Sequence, residues 1–178
     1  MTVAAGGVVS NSFGYIGYIG YRPGSTGVVT VTGPGSQWNN SFPLYVGETG
    51  TGTLNVENGG RVEVLPGDSR IAASIGKDPG SYGTVSVTGT DSIWNNSGSL
   101  YVGDLGSDTL NVEAGGVVAN TDGYLARESG GRGVVTVSGT DSTWTNSGDL
   151  HGYARLFLNA SEISSIAFIL LRTSSMLR

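Results

Sequence analysis

Cysteine is absent, histidine occurs once (His151) and lysine once (Lys77). Without thiols there is neither a disulfide framework nor a thiolate metal site, and the compartment is not legible from redox chemistry. The lone His151 has no serine or cysteine motif to serve and is read as incidental rather than as a base or ligand. Lysine and arginine total 9 against 14 acidic residues, a net charge of −5. No basic patch stands out to displace counterions from phosphates, which argues against a nucleic-acid partner. The apolar run from Ile166 to Leu171 is far too short to cross a bilayer, so no membrane insertion by this chain is expected. The opening MTVAAGGVVSNSFGYIGY has neither the basic start nor the long apolar stretch of a secretory signal.

Glycine, by contrast, is abundant, at 31 of 178 residues and without a collagen-like period. Together with many Ser, Thr, Asn and Val residues it predicts short strands joined by tight turns, an all-β chain. The string Gly83 to Gly116, GTVSVTGTDSIWNNSGSLYVGDLGSDTLNVEAGG, occurs in near copy from Gly27 and begins again at Gly133. Trp38, Trp94 and Trp144 mark the period, 56 and then 50 residues. A repeat of this size means a solenoid, a propeller or an array. Thr2 to Val9 parallels Asn111 to Val118, so Met1 falls inside a repeat and the chain reads as an internal fragment with any targeting signal upstream.

Within each unit a half-period is visible. Ile75-Gly76 leads to Val85-Ser86-Val87 much as Val102-Gly103 leads to Leu110-Asn111-Val112. One unit is therefore two coils of about 25 residues, a length suited to a β-helix turn. The expected fold is a right-handed parallel β-solenoid, the hand resting on the general rule for parallel crossovers. Six coils about 4.8 Å apart would make a rod of roughly 30 Å. Stacking places Val31, Val56, Val87, Val112 and Val137 in one inward column and Ile19, Val46, Ile75, Val102 and Leu125 in another; Trp38 should alternate with a smaller residue such as Val64 or Val118. A kelch-like propeller shares the punctuation, but a closed one needs at least four blades.

The solenoid is assigned to 1–150: a partial repeat at 1–26, full repeats at 27–82 and 83–132, and a truncated one at 133–150. Residues 151–178 lose the glycines and depart from the pattern. They read either as a disordered tail left by a truncated or shifted reading frame, or as a short amphipathic cap carrying Ile163, Ile166, Ile169 and Leu170.

The repeat, with Val29-Thr30-Val31, Trp38, Asn40-Ser41, Leu44-Tyr45-Val46-Gly47, Thr53-Leu54 and Glu57-Asn58-Gly59-Gly60, closely resembles that of bacterial autotransporter (type V secretion) passengers and of some PEP-CTERM-associated proteins. The same words recur from Val85 to Gly116. The resemblance implies a β-solenoid passenger displayed on, or released from, a Gram-negative cell surface. It also implies a structural or adhesin-like role toward surface glycans or proteins of a host or environment. The competing class is a non-catalytic portion of a carbohydrate-active β-helix enzyme, a lyase or glycosidase.

No catalytic, cofactor or metal residue is assigned. Asp91 and Asp141 occupy matching Gly-Thr-Asp-Ser turns, but two coils separate them, roughly 10 Å, beyond a retaining pair. They read as turn residues whose side chains bond nearby backbone N–H groups. Glu57 and Glu113 recur in step, as solvated positions do, and the calcium-binding nonapeptide of β-rolls is absent. The outward pairs Thr30/Thr32, Ser86/Thr88 and Thr136/Ser138 suggest a flat ice-binding face, which Asn55/Glu57 and Asn111/Glu113 interrupt with charge. Asn39, Asn40, Asn95 and Asn96 read as ladder or turn residues. Tyr15, Tyr18 and Tyr21 form an aromatic cluster suited to packing or to sugar stacking. Arg127 and Arg132 read as solvated, and open solenoid ends favour end-to-end self-association.

Overall fold

A computed structural model describes residues 1–11, 16–67 and 69–152, and all its regular structure is β-strand. Three six-stranded parallel sheets run through the described residues, from Thr2 to Gly152. Sheet A holds β1 (Thr2–Val3), β4 (Thr26–Thr32), β7 (Thr51–Glu57), β10 (Tyr82–Thr88), β13 (Ser107–Glu113) and β16 (Arg132–Ser138). Sheet B holds β2 (Val8–Asn11), β5 (Gln37–Asn40), β8 (Arg61–Val64), β11 (Ile93–Asn96), β14 (Val117–Asn120) and β17 (Thr143–Asn146). Sheet C holds β3 (Gly17–Ile19), β6 (Leu44–Val46), β9 (Ile71–Ile75), β12 (Ser99–Val102), β15 (Gly123–Leu125) and β18 (Leu150–Gly152). Each successive trio, one strand per sheet, is one coil of a β-solenoid with six coils. The boundary expected after Leu150 falls inside β18, because His151 and Gly152 still pair with Tyr124 and Leu125. The proposed cap residues lie outside the described residues.

Register is in step from coil to coil. Val31 lies beside Val56, Val56 beside Val87, Val87 beside Val112 and Val112 beside Val137, and the column from Ile19 to Leu125 is equally regular. The tryptophan column reads Val9, Trp38, Val62, Trp94, Val118, Trp144. Val118 is the expected partner, but Val62 rather than Val64 stands between Trp38 and Trp94. Both valines face inward, because strand side chains alternate with period two. The shorter turn over Asn58 to Gly60 delivers Arg61, not Glu63, opposite Gln37, and puts Val64 beside Asn40 and Asn96.

A second column makes the size alternation intelligible. In sheet C the inward positions are Gly17, Leu44, Ala73, Leu100, Gly123 and Leu150. Coils with Trp therefore also carry Leu, and coils with Val carry Gly or Ala. A Cβ on Gly123 would lie 2.7 Å from Leu150 Cδ1 and 3.0 Å from Trp144 Cζ2, so the large pair of one coil leans into the space its neighbour leaves. Trp94 is fully buried.

The turns between sheets A and B alternate in the same two-coil rhythm. Trp coils use a four-residue turn with positive φ at its first and third positions, as at Gly89 and Asp91 (φ 65°). The fourth residue, serine, then bonds the neighbouring coil: Ser36, Ser92 and Ser142 Oγ accept from the N–H of Gly6, Gly59 and Gly115 at 3.0–3.1 Å. Ser92 and Ser142 also donate to Thr88 and Ser138 carbonyls. The two coil types interlock through side-chain size on the inside and through this serine at the corner.

Truncating Trp94 to alanine should cost about 3 to 5 kcal/mol of unfolding free energy, measured by denaturant titration. A loss below about 1 kcal/mol would contradict its place in the core.

Candidate binding face

Strand residues between two inward positions must point outward. In sheet C that rule lines up Tyr18, Tyr45, Ser74, Tyr101, Tyr124 and His151, one per coil. Parallel in-register pairing stacks their rings. Tyr101 and Tyr124 lie 4.5 Å apart with planes 9° from parallel, and His151 continues the stack 4.7 Å beyond Tyr124. Tyr18 meets Tyr45 edge-on at 5.7 Å and Tyr21 at 4.6 Å. Among the described residues only Ser74 interrupts this aromatic ladder.

Beside the ladder runs a second column, set by the turn that follows each sheet C strand. That turn needs a positive φ immediately after the strand: Gly47, Gly76 and Gly103 supply it at 69–75°, and Ala126 adopts it at 48°. The next residue is Glu48, Lys77, Asp104 and Arg127 in successive coils. Charges thus alternate in sign up the face. Lys77 bonds Glu48 at 2.8 Å and places its ammonium 4.7 Å from the centre of the Tyr45 ring. Arg127 lies 3.7 Å from Asp104, 3.4 Å from Glu128 and 5.3 Å from the Tyr101 ring. Burial works against the charge on Lys77, but the Glu48 hydrogen bond and charge more than offset it and hold its pKa above the ordinary value. Burial raises the Asp104 carboxyl, with Arg127 opposing, and burial likewise raises the Tyr45 and Tyr101 phenols.

Two polar atoms on this face have no hydrogen-bond partner among the described residues: the hydroxyl of Ser74, a residue 2% exposed, and Oδ1 of Asp104, for which Arg127 is too distant to donate.

His151 stacks as the last ring of the ladder; Arg127 is exposed, as expected, and also lies near Asp104 and over the Tyr101 ring; Arg132 is exposed. Tyr18 and Tyr21 do form an exposed aromatic pair, while Tyr15 lies outside the described residues. Asp91 and Asp141 are exposed turn residues, but neither forms a side-chain hydrogen bond among the described residues. Aspartate is one of the few residues that tolerates their left-handed φ, the next serine makes the bonds, and Gly35 (φ 76°) fills the same role in the first unit. Asn39 and Asn95 point outward, Asn95 donating to Glu63. Asn40 and Asn96 point inward on either side of Val64, and their amides have no hydrogen-bond partner among the described residues; further along, Asn120 donates to Asn146. Glu57 and Glu113 alternate with Thr32, Thr88 and Ser138 on the outside of sheet A.

No family model matches the chain, and no solved structure matches it. It is 37% identical over 99 residues to a protein of Escherichia coli K12 named "uncharacterized lipoprotein YdeK", a match covering 52% of this chain. The chain spans 7% of that relative's length.

Sequence reasoning passed over Asp108. The inward column at the start of sheet A reads Gly27, Gly52, Gly83, Asp108, Gly133. The signal was present, since Ser-Asp-Thr-Leu replaces the Thr-Gly-Thr-Leu of Gly52. The Asp108 side chain fills space that Gly76 and Gly106 leave open beside Ser81. One carboxyl oxygen accepts from the Gly83 N–H at 2.5 Å and the other has no partner. Burial pushes its pKa up to about 7, the Gly83 bond opposing. The unfolded carboxyl titrates near 3.8, so between these values the folded chain holds the extra proton and stability falls as pH rises. Relative to Asp108→Asn, the chain should lose stability from about pH 4 to about pH 7, on the order of 4 kcal/mol in all, and no more above that. Parallel denaturation midpoints for the two proteins across pH 4–8 would contradict this.

Proposed function

We propose that the chain is a non-catalytic, adhesin-like segment of a longer, surface-displayed bacterial protein of autotransporter type, a stretch of solenoid that presents lateral binding faces. The observation that supports it most is the geometry of sheet C. In-register coils convert one outward residue per coil into an extended file of aromatic rings, flanked by charges of alternating sign. Such a file offers many equivalent contacts to an elongated ligand, which suits attachment. The likeness to a much longer protein named as a lipoprotein fits a location in the cell envelope. The repeat's resemblance to autotransporter passengers fits display at the surface.

Two measurements test the reading. Antibodies raised against the purified chain should label intact cells that carry the parent protein, and staining only after permeabilisation would sink the location. Beads coated with the chain should adhere to bacterial or epithelial surfaces more than beads coated with Tyr101→Ala/Tyr124→Ala; equal adherence would sink the adhesive role of this face.

A further inference from the structure

We infer that the gap in the aromatic ladder at Ser74 is a slot for one neutral hexose ring, closed in the free protein by the side chain of Lys77. This names a ligand class for the adhesive face and rests on that reading for its biological consequence, though not for its geometry. The backbones of Tyr45 and Tyr101 lie two coils apart, about 9.6 Å, whereas Tyr101 and Tyr124, on adjacent coils, have ring centres 4.5 Å apart. A guest ring at mid-height would lie one coil spacing from the level of each tyrosine, which are only 8% and 9% exposed while the slot is closed. Ser74 supplies no ring of its own, and its hydroxyl forms the floor of the slot, buried and without a hydrogen-bond partner.

Lys77 leaves the backbone three residues after Ser74 on the same coil. Its stem therefore lies on the slot side of Tyr45, with the ammonium over that ring and bonded to Glu48. A long, flexible side chain with 35% of its surface exposed can swing out without disturbing the coils.

The rim selects the guest. Along the rim stand two acceptors, Glu48 and Asp104, the latter paired with Arg127 of the next coil, and the Ser74 hydroxyl, which both donates and accepts. Asp104 Oδ1 and Ser74 Oγ are the two atoms whose hydrogen-bonding capacity the protein itself leaves unused. A pyranose presents C–H faces to aromatic rings and hydroxyls around its edge, so it meets both walls and rim. A plain aromatic guest would stack equally well but leave the orphaned oxygens unpaired, at a desolvation cost. Alternating rim charges cancel, which favours a neutral sugar over a uronate or an amine.

The test uses the purified chain with cellohexaose, maltohexaose and mannohexaose at millimolar concentration, read by NMR. At least one should bind, with ring protons shifted upfield as expected between two tyrosine faces. Ser74→Tyr, which supplies the missing rung, should weaken binding about tenfold or more, the equivalent of one lost stacking contact. Lys77→Ala should bind several-fold more tightly. Tyr101→Leu provides a second check that does not depend on Ser74→Tyr folding, and it should abolish most of the upfield shift. Absence of binding by all three sugars to both wild type and Lys77→Ala overturns the inference. So does unchanged affinity in Tyr101→Leu, or binding of p-cresol in place of any sugar. Because the readout is direct sugar binding, it fails independently of the bead assay above.

Discussion

In-register stacking of parallel coils is the constraint on which everything else depends. Once each backbone pairs with the next coil about 4.8 Å away, every side chain acquires as nearest neighbours the residues one coil before and after it. Interior volume must then be shared down columns rather than within a layer. Trp38 beside Val62, Trp94 beside Val118, and Leu100 between Ala73 and Gly123 satisfy that demand, since two large residues in succession would overfill the same space. The two-coil repeat in the sequence follows from it. The interlocked serines at the corner between sheets A and B hold the alternation in phase, because each needs the glycine N–H of the other coil type.

Most of the architecture was legible because two periods coincide. Alternation by two marks the inward residues, and recurrence near 25 assigns their neighbours, which is enough to place the columns through Val31 and Val46. The same logic names Val64 where the structure places Val62: both face inward, and the choice rests on the length of one turn. The binding face escaped for a different reason. Tyr45 and Tyr101 stand in Leu-Tyr-Val words and Tyr124 in Gly-Tyr-Leu, where the apolar members carry the inward pattern, while the outward tyrosines become a ladder only when coils are superposed. The alternating charges at Glu48, Lys77, Asp104 and Arg127 were hidden likewise, being about a coil apart in sequence and dissimilar in type.

His151 illustrates how composition misleads at the edge of a repeat. Leu150-His151-Gly152 breaks the Leu-Tyr-Val-Gly word, yet strand pairing uses the backbone, and Leu150 still fills the inward position that Leu100 fills two coils earlier. An imidazole is flat and stacks where a phenol did. The chemical identity of the residue changed, while its shape and its place in the ladder did not.

Departures from the repeat are therefore of two physical kinds. Some preserve the column, as His151 does for the ladder and Asp91 does for the left-handed turn at Gly35. Others cost the structure something. Asp108 puts a carboxyl into a file of glycines and leaves one oxygen unpaired; Ser74 removes a ring from between two others and leaves a hydroxyl unpaired. A solenoid under no demand but stability would put glycine at the first position and tyrosine at the second, as its neighbouring coils do. Asp108 is sealed inside the corner where no ligand reaches it. Ser74 is buried as well, but on the outer side of sheet C, where among the described residues aromatic rings and charges of both signs converge, and the proposed slot rests on that difference of placement.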